Sequence, residues 1–139
     1  MSTVVSKRRL NSCDAALKAN ILIRYTLEIS SNEKYFKPCY KALTDDIIHT
    51  SEAIFTKIWE AFNIRIKTLE DAQWRCKLQT EAILLCKNML ALINIGYSIY
   101  HLRGNRIEYW GRLVLDTRES VIRWKNNDIK KYNIRPMYE

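Results

Sequence analysis

Histidine and cysteine are among the residue types in this 139-residue sequence whose side chains could carry out catalysis or bind a metal ion. The two histidines are His49 and His101. Small all-α nucleases pair a histidine with an arginine a few residues upstream, but residues 42–44 and 94–96 contain no arginine. The chain also lacks the G-x-S-x-G, glycine-rich phosphate-loop and H-E-x-x-H motifs. We therefore predict no catalytic residue and no enzyme activity. The alternative, a toxin-like nuclease, would need RNA cleavage that depends on one histidine.

The four cysteines lack the spacing of a metal site or of a local disulfide. Cys76 and Cys86 lie ten residues apart on one predicted helix, a separation of about 15 Å that exceeds disulfide reach. Cys13 and Cys39 could face each other on neighbouring helices. No C-x-x-C or H-x-x-x-H pair is present, and no cleavable apolar segment follows the basic residues 7–9. We expect four buried or idle thiols, no metal, no cofactor and a cytoplasmic location.

Positive charge is concentrated at the two ends of the chain. The net charge is +8 and the isoelectric point is about 9.4. Residues 1–41 carry 8 basic and 3 acidic side chains, residues 42–102 carry 6 and 7, and residues 103–139 carry 9 and 5. Such an excess of cations attracts phosphate backbones through counterion release, with strong salt dependence and little sequence preference.

The composition predicts long helices. With 3 Gly, 2 Pro and 47% hydrophobic residues, the chain fits neither a turn-rich β protein nor a disordered segment, and its length fits one domain. Three N-cap residues with an acidic partner three positions on mark helix starts, and a proline marks another. These are Asn11 with Asp14, Thr68 with Asp71, Asn105 with Glu108, and Pro38. The predicted helices run over residues 12–31, 38–64, 68–100 and 105–127.

Short connections between these helices predict an all-α fold, an antiparallel four-helix bundle in up-down-up-down order. We expect a flexible basic N-terminal arm over residues 1–10, the bundle over residues 11–128 and a C-terminal tail over residues 129–139. In this order the first and fourth helices are neighbours. The two basic segments should therefore meet on one side of the molecule.

That basic side is the candidate surface for binding nucleic acid. Part of the charge on the fourth helix is compensated at i, i+4 spacing by Glu108, Asp116 and Glu119. The cations that remain are the predicted nucleic-acid-binding residues: Lys18, Arg24, Arg103, Arg106, Arg118, Lys125, Lys130 and Lys131. The alternative uses of this charge are solubility or the binding of an acidic protein.

Apolar residues at helical spacing predict a core and leave two further stripes. The predicted core faces are Leu43, Ile47, Ile54, Ile58 and Ala61 in the second helix and Ile107, Trp110, Val114, Val121 and Trp124 in the fourth, with Trp59 also packing. The two stripes are Leu78, Leu85, Met89, Leu92 and Gly96 on the third helix, and Gly111, Leu115 and Ile122 on the fourth. A lone bundle would expose them, which predicts a homo-oligomer or a fixed protein contact. The alternative is a wide buried helix in a monomer.

Residues 82–102 raise the possibility of a membrane span, because Lys87 is their only formally charged residue. Asn88, Asn94 and Ser98 lie in the same stretch, and with Lys87 near its middle they make insertion costly. We therefore expect no membrane partner.

The order of four segments resembles a known family of four-helix bundles. The segments are "LIRYTLEI", "KYFKPCYKALTDDI", "RCKLQTEAILLCKNMLALINIGYSI" and "RIEYWGRLVLDTRESVIRWKNND", within residues 14–128. Phe36 and Pro38 before the second helix and Trp124 at the close of the fourth are the most distinctive positions. The family includes the accessory variability determinant (Avd) of diversity-generating retroelements and the intervening-sequence proteins of large ribosomal RNA genes. Lys37 separates Phe from Pro, which are adjacent in family members, and the second helix differs from that of the intervening-sequence branch. This favours the Avd branch.

The resemblance implies a function as well as a fold. Avd-type proteins are non-enzymatic homopentameric barrels with a basic surface, which bind the retroelement's reverse transcriptase and its template RNA and help to make the mutagenic cDNA that diversifies a target gene. The expected partners are therefore a reverse transcriptase, template RNA or cDNA, and further copies of the chain. The alternative implied by the other branch is a protein adaptor whose basic face docks an acidic partner.

Overall fold

The computed structural model describes residues 13–135, which form four α-helices and no strand. The helices are α1 (Asp14–Ser30), α2 (Lys41–Asn63), α3 (Leu69–Tyr100) and α4 (Gly104–Tyr132), and a short 3-10 helix (Pro38–Tyr40) leads into α2. This confirms the predicted all-α class and the number of helices. The predicted cap Asn11, the N-terminal arm and residues 136–139 lie outside the described residues.

The start of α3 is fixed by the capping box that the sequence predicts. Thr68 Oγ1 accepts a hydrogen bond from the Asp71 amide at 3.2 Å, and Asp71 Oδ2 accepts one from the Thr68 amide at 3.1 Å. The Lys67 amide donates to the same carboxylate at 3.0 Å. These backbone hydrogen bonds, that from Lys67 first, lower the pKa of Asp71. Two amides that the helix itself leaves unpaired are thereby satisfied.

The start of α4 differs from the prediction. The helix begins at Gly104 after Arg103, so Asn105 is not its N-cap, and no side chain caps it. His101 ends α3 in the left-handed conformation with φ 54°, and Leu102 is buried directly after it. Burial of Leu102 between the two helices fixes where α4 starts, without a side-chain hydrogen bond.

The end of α4 also lies beyond the predicted position. The helix continues to Tyr132, past residue 127, and includes the first residues of the predicted C-terminal tail. Lys130 and Lys131 occupy its last turn, where cations interact favourably with the helix dipole. Ile134 follows the helix and is buried. The predicted start of the tail, residue 129, lies too early in the sequence. This segment has few apolar residues and therefore shows no clear helical periodicity, although Ile134 is buried.

The helices pack as the predicted bundle order requires. α1 contacts α2 and α4, and α3 contacts α2 and α4, so the first and fourth helices are neighbours. Contacts join the end of one helix to the start of a helix packed beside it: Tyr100 of α3 bonds Thr44 of α2 at 2.7 Å, and Trp110 of α4 bonds Thr26 of α1 at 3.0 Å. Neighbouring helices are therefore antiparallel at these contacts.

The core follows the predicted apolar faces of α2 and α4. The fully buried members of those faces are Ile47, Ile54, Ile58, Ala61, Trp110, Val114 and Val121. Leu43, Ile107 and Trp124 are half-buried and pack against this core. Trp59 is also half-buried and lies parallel to Phe55, with ring centroids 6.0 Å apart. Reading these tryptophans as packing residues is confirmed.

The predicted apolar stripe on α3 is partly wrong. Leu78, Met89 and Gly96 are buried inside the single chain, so they cannot form a contact with another subunit. Apolar residues encircle α3, and a pattern without a polar side does not show which face meets the core. The exposed apolar residues of the central and C-terminal part of α3 are instead Leu84, Ile95 and Tyr97.

α3 has, by length and composition alone, the properties of a membrane-crossing helix, and 28% of its apolar window is buried in the bundle. Core helices of soluble proteins pass the same test, so this is weak evidence for a membrane. Most of the window is thus incompletely covered by the chain's own helices.

Candidate nucleic-acid interface

Asp14 joins the first and fourth helices at one end of their contact. Its carboxylate accepts a hydrogen bond from the Ser120 hydroxyl of α4 and forms ion pairs with Lys18 at 3.2 Å and Arg123 at 3.8 Å. The Ser120 hydrogen bond, followed by Lys18 and Arg123, lowers the pKa of Asp14. Lys18, a predicted nucleic-acid-binding residue, is therefore already paired with an acid, and its charge is partly compensated.

A groove lies further along the same helix pair, where α1 ends and α4 begins. We call it the Tyr25 groove; it has a volume of about 330 Å³ and is lined by Tyr25, Glu28, Ile29, Asn32 and Arg106. Tyr109 packs edge-to-face against Tyr25, with ring centroids 4.8 Å apart and an interplanar angle of 79°. Burial raises the pKa of Tyr25, an effect that the nearby Arg106 opposes. The groove thus combines aromatic, cationic and hydrogen-bonding groups.

The remaining predicted cations are exposed but widely spaced along α4. Arg103 precedes the helix, whereas Lys130 and Lys131 lie in its last turn. The helix has 29 residues, which corresponds to a length of about 43 Å. Arg24 is exposed on α1. None of these four forms an ion pair within residues 13–135, so their charge is available to a partner.

Arg118 and Lys125 lie on the other flank of α4, against α3. Their charges act on two thiols of α3, Arg118 on Cys86 and Lys125 on Cys76. The Nε atom of Arg118 is buried. The predicted set therefore does not form one continuous surface, and the expectation that the two basic segments meet on one side of the molecule is corrected for these two cations.

The predicted apolar stripe of α4 shares that flank with the two cations. Gly111, Leu115, Arg118, Ile122 and Lys125 recur at spacings of four and three, which places them on one helix face. Leu115 is 39% exposed, and the other apolar members of the face are half-buried. A subunit contact here would cover both cations, so one flank cannot serve both predicted roles at once.

The ladder of i, i+4 ion pairs expected along α4 does not form among the described residues. Arg123 pairs with Asp14 of α1 instead of Glu119, and Arg112 pairs with neither Glu108 nor Asp116. The acidic residues of α4 therefore neutralise fewer of the arginines on the same helix than the i, i+4 spacing predicts.

A second and shallower groove lies between α2 and α3. It has a volume of about 510 Å³ and is lined by Asp46, His49, Thr50, Ala53, Leu85, Asn88, Ala91 and Leu92. Leu85 and Leu92, two residues of the predicted interface, are half-buried there and pack against the core. They remain partly exposed, and their role in a subunit contact stays a prediction.

The cysteines are all free thiols. Cys13 and Cys39 lie at opposite ends of the bundle, before α1 and before α2, so they do not face each other. Burial raises the pKa of Cys86 to about 12, which keeps this thiol protonated and unreactive at neutral pH. Within residues 13–135, no group of three or more His, Cys, Asp or Glu side chains could hold a metal ion.

Tyr25, Glu28, Asn32 and Tyr109 were not singled out from the sequence. The signal that could have identified the two tyrosines is their position next to predicted cations, since Tyr25 follows Arg24 and Tyr109 lies three residues after Arg106. Aromatic residues interleaved with cations are typical of surfaces that bind single-stranded nucleic acid.

Comparisons with known proteins give no further guide to the role of this site. No family model matches the chain, and no curated protein or solved structure matches it significantly.

Proposed function

We propose that this chain is a non-enzymatic accessory protein of a diversity-generating retroelement, acting in the cytoplasm. Its cations on α1 and α4 bind template RNA or cDNA, and the protein binds the reverse transcriptase that copies the template. Several copies of the chain assemble through exposed apolar surface, and the resemblance to Avd implies that the assembly is a pentamer.

The observation that carries this proposal is the contact between α1 and α4. It sets side by side the two helices that carry the basic segments, and Arg24 is exposed on α1 and Arg106 at the start of α4. Neither forms an ion pair in the described part of the chain. Unpaired surface cations are the groups that release counterions when they meet phosphates.

Assembly is supported by the apolar surface of α3. Leu84 and Ile95 expose 57% and 51% of their surface. Leu84 and Ile95 are eleven residues apart and lie on one helix face together with Ala91. Large apolar side chains exposed on one helix face are the residues through which a contact with another protein would form.

The nucleic-acid part is tested by measuring the affinity for single-stranded RNA between about 50 and 300 mM salt. The double substitution Arg24→Gln/Arg106→Gln should weaken binding and make the slope of log K against log salt shallower by about 1.4, because two phosphate contacts are lost at about 0.7 each. The matched control is Lys77→Gln/Lys87→Gln, which removes the same charge from exposed positions on α3. Equal effects of the two pairs, or binding that is indifferent to salt, would contradict the proposed surface.

The assembly part is tested by light scattering. Leu84→Glu/Ile95→Glu should reduce the mass to that of a monomer while helicity is retained, because two charges would have to be buried in the contact. The control is Ile21→Glu/Leu27→Glu on α1, where the exposed fractions are 42% and 46%. A monomeric mass for the unsubstituted chain at all concentrations would count against assembly.

The partner is identified by co-purification before and after nuclease treatment. A reverse transcriptase that remains bound after the treatment supports direct contact. Retention of only an unrelated acidic protein would favour the alternative adaptor role.

A further inference from the structure

Of the two aromatic residues at the Tyr25 groove, Tyr25 packs against the core, whereas Tyr109 is not among the described residues that do. Tyr109 is 49% exposed, although Trp110, the next residue along α4, is completely buried. Trp110 supplies the packing between α4 and α1 and has its indole hydrogen-bonded to Thr26 at 3.0 Å. Because Trp110 already packs against α1, the exposed ring of Tyr109 is available to contact a ligand.

The lining of the groove matches the chemical features of a nucleobase. Tyr25 provides an apolar ring in the lining, Glu28 provides a hydrogen-bond acceptor, and Asn32 provides both a donor and an acceptor. Tyr109 does not line the groove but lies at its rim, where its ring packs against that of Tyr25 at a centroid distance of 4.8 Å. The carboxamide of Asn32 is partly engaged, because its Oδ1 accepts the Lys34 amide at 3.1 Å, so its amino group remains free to donate. A volume of about 330 Å³ is at the low end of the range of about 300–1,000 Å³ for small-ligand sites.

The charged residues around the groove predict how a bound nucleotide would be oriented in it. The Arg106 guanidinium and the Glu28 carboxylate both act on the Tyr25 hydroxyl, with opposite signs. A phosphate would be attracted to Arg106 and repelled by Glu28. A base amino group would be accepted by Glu28. The two charges would therefore place the backbone on the α4 side of the groove and the base edge on the α1 side.

We propose that the Tyr25 groove holds one unstacked base of a single-stranded nucleic acid. Tyr109 stacks on the base, Arg106 contacts the adjoining phosphate, and Glu28 and Asn32 bond the base edge. This deepens the proposed function and rests on it: the cations of α1 and α4 attract any polyanion, whereas the groove adds a preference for single strands. A duplex cannot supply the base without unpairing it, at a cost in free energy.

The test compares single-stranded RNA with a duplex of the same sequence in the full-length protein. Stacking on one aromatic ring is typically worth about 5- to 150-fold in affinity, so Tyr109→Ala should weaken single-strand binding by that factor. Duplex binding should change less than about twofold, and the salt slope should stay the same, because no phosphate contact is removed. Tyr109→Phe should retain the single-strand affinity, since the ring remains.

Tyr97→Ala is the matched control, because Tyr97 is a tyrosine of similar exposure, 57%, on α3. It should leave both affinities unchanged. Equal losses for Tyr109→Ala and Tyr97→Ala, or an equal loss for single strand and duplex, would overturn the stacking site and leave the proposed function standing. Failure of the unsubstituted protein to bind either RNA would overturn both.

A second measurement does not depend on the folding of a variant. Addition of a mixed-sequence tetranucleotide to the unsubstituted protein should shift the ring proton resonances of Tyr109 in its NMR spectrum, while those of Tyr97 stay in place. Absence of a shift at Tyr109 under saturating conditions would overturn the proposal.

Discussion

Trp110 of α4 donates a hydrogen bond from its indole Nε1 to Thr26 Oγ1 of α1 at 3.0 Å, and both side chains are completely buried. The Thr26 hydroxyl in turn donates to the Leu22 carbonyl at 2.8 Å. The contact fixes how α4 lies against α1. It therefore also sets the spacing of Arg106 and Tyr109 from the end of α1, on which the candidate interface depends.

Replacing Thr26 with Val should destabilise the fold. The substitution removes the acceptor and leaves the buried Trp110 N–H without a partner, which costs about 1–3 kcal/mol in the free energy of unfolding. Thr26→Ser should recover most of the loss. The matched control is Thr117→Val, because the buried Thr117 hydroxyl donates to the Leu113 carbonyl of its own helix at 2.8 Å and to no other helix among residues 13–135. Urea unfolding measures all three, and an equal loss for Thr26→Val and Thr117→Val would contradict the argument.

Asp128 should be the most important acid for the stability of the other end of the bundle. Its Oδ2 accepts a hydrogen bond from Gln79 Nε2 at 2.9 Å and lies 3.6 Å from Arg75 Nη1. Asp128→Ala would leave a buried amide unpaired and a guanidinium without its counter-charge. Arg75 keeps the carbonyls of residues 61 and 64 as partners, so we expect a loss near the lower limit for such pairs, about 3 kcal/mol.

The control for this prediction is Asp116→Ala on the same helix. Asp116 is half-buried and forms no ion pair in the part of the chain that the structure describes. Its loss should change the free energy of unfolding by less than about 0.5 kcal/mol. Comparable effects of the two substitutions in thermal unfolding would contradict the prediction that the contacts of Asp128 stabilise the fold.

Replacing each of two helical glycines with alanine should change the stability of the fold in opposite directions. A Cβ at Gly96 would lie 2.6 Å from Tyr100 Cε2, and that ring is held by Phe36, at a centroid distance of 4.3 Å, and by the hydroxyl of Thr44. Gly96→Ala should therefore cost about 1–3 kcal/mol through overpacking. A Cβ at Gly111 would meet nothing within 4 Å, so Gly111→Ala should gain up to about 1 kcal/mol from helix propensity. Melting temperatures at equal protein concentration provide the comparison.

The sequence was sufficient to predict the helices but not every boundary. The spacing of apolar residues in α2 and α4 identified their core faces, and Thr68 with Asp71 marked the start of α3 because a capping box is a local interaction. The prediction that Asn105 caps α4 was wrong because the start of this helix is set by the burial of Leu102, which is a tertiary interaction. α3 could not be oriented, since apolar residues surround it.

The candidate site was predicted only in part, and for a geometric reason. Helical spacing shows that Arg118 and Lys125 share a flank of α4, but whether α1 or α3 lies on that flank depends on the handedness of the bundle. Spacing within one helix carries no information on handedness. Arg106 was identified as a cation, whereas its association with Tyr25 required the packing of two helices that are distant in sequence.

Lowering the pH should weaken the contact between α1 and α4, because Asp14 becomes protonated. Because the pKa of Asp14 is lowered from 3.8 in the folded protein, chiefly by the Ser120 hydroxyl, the ionised carboxylate is favoured more in the folded state than in the unfolded state. Its contribution to stability is therefore complete above about pH 4 to 5, and it is lost as the pH falls through the lowered pKa. The carboxylate is 57% exposed, so the effect is small and salt should reduce it.

The measurement is the difference in free energy of unfolding between the unsubstituted chain and Asp14→Asn, followed from pH 6 to pH 2. The difference should be constant near neutral pH and should shrink towards zero at the acid end, because a protonated Asp14 resembles the amide. Asp71 also has a lowered pKa and acts through the capping box of α3, so Asp71→Asn in the same background separates the two acids. A difference for Asp14→Asn that does not vary with pH would mean that this residue stabilises the helix pair through its shape and not through its charge.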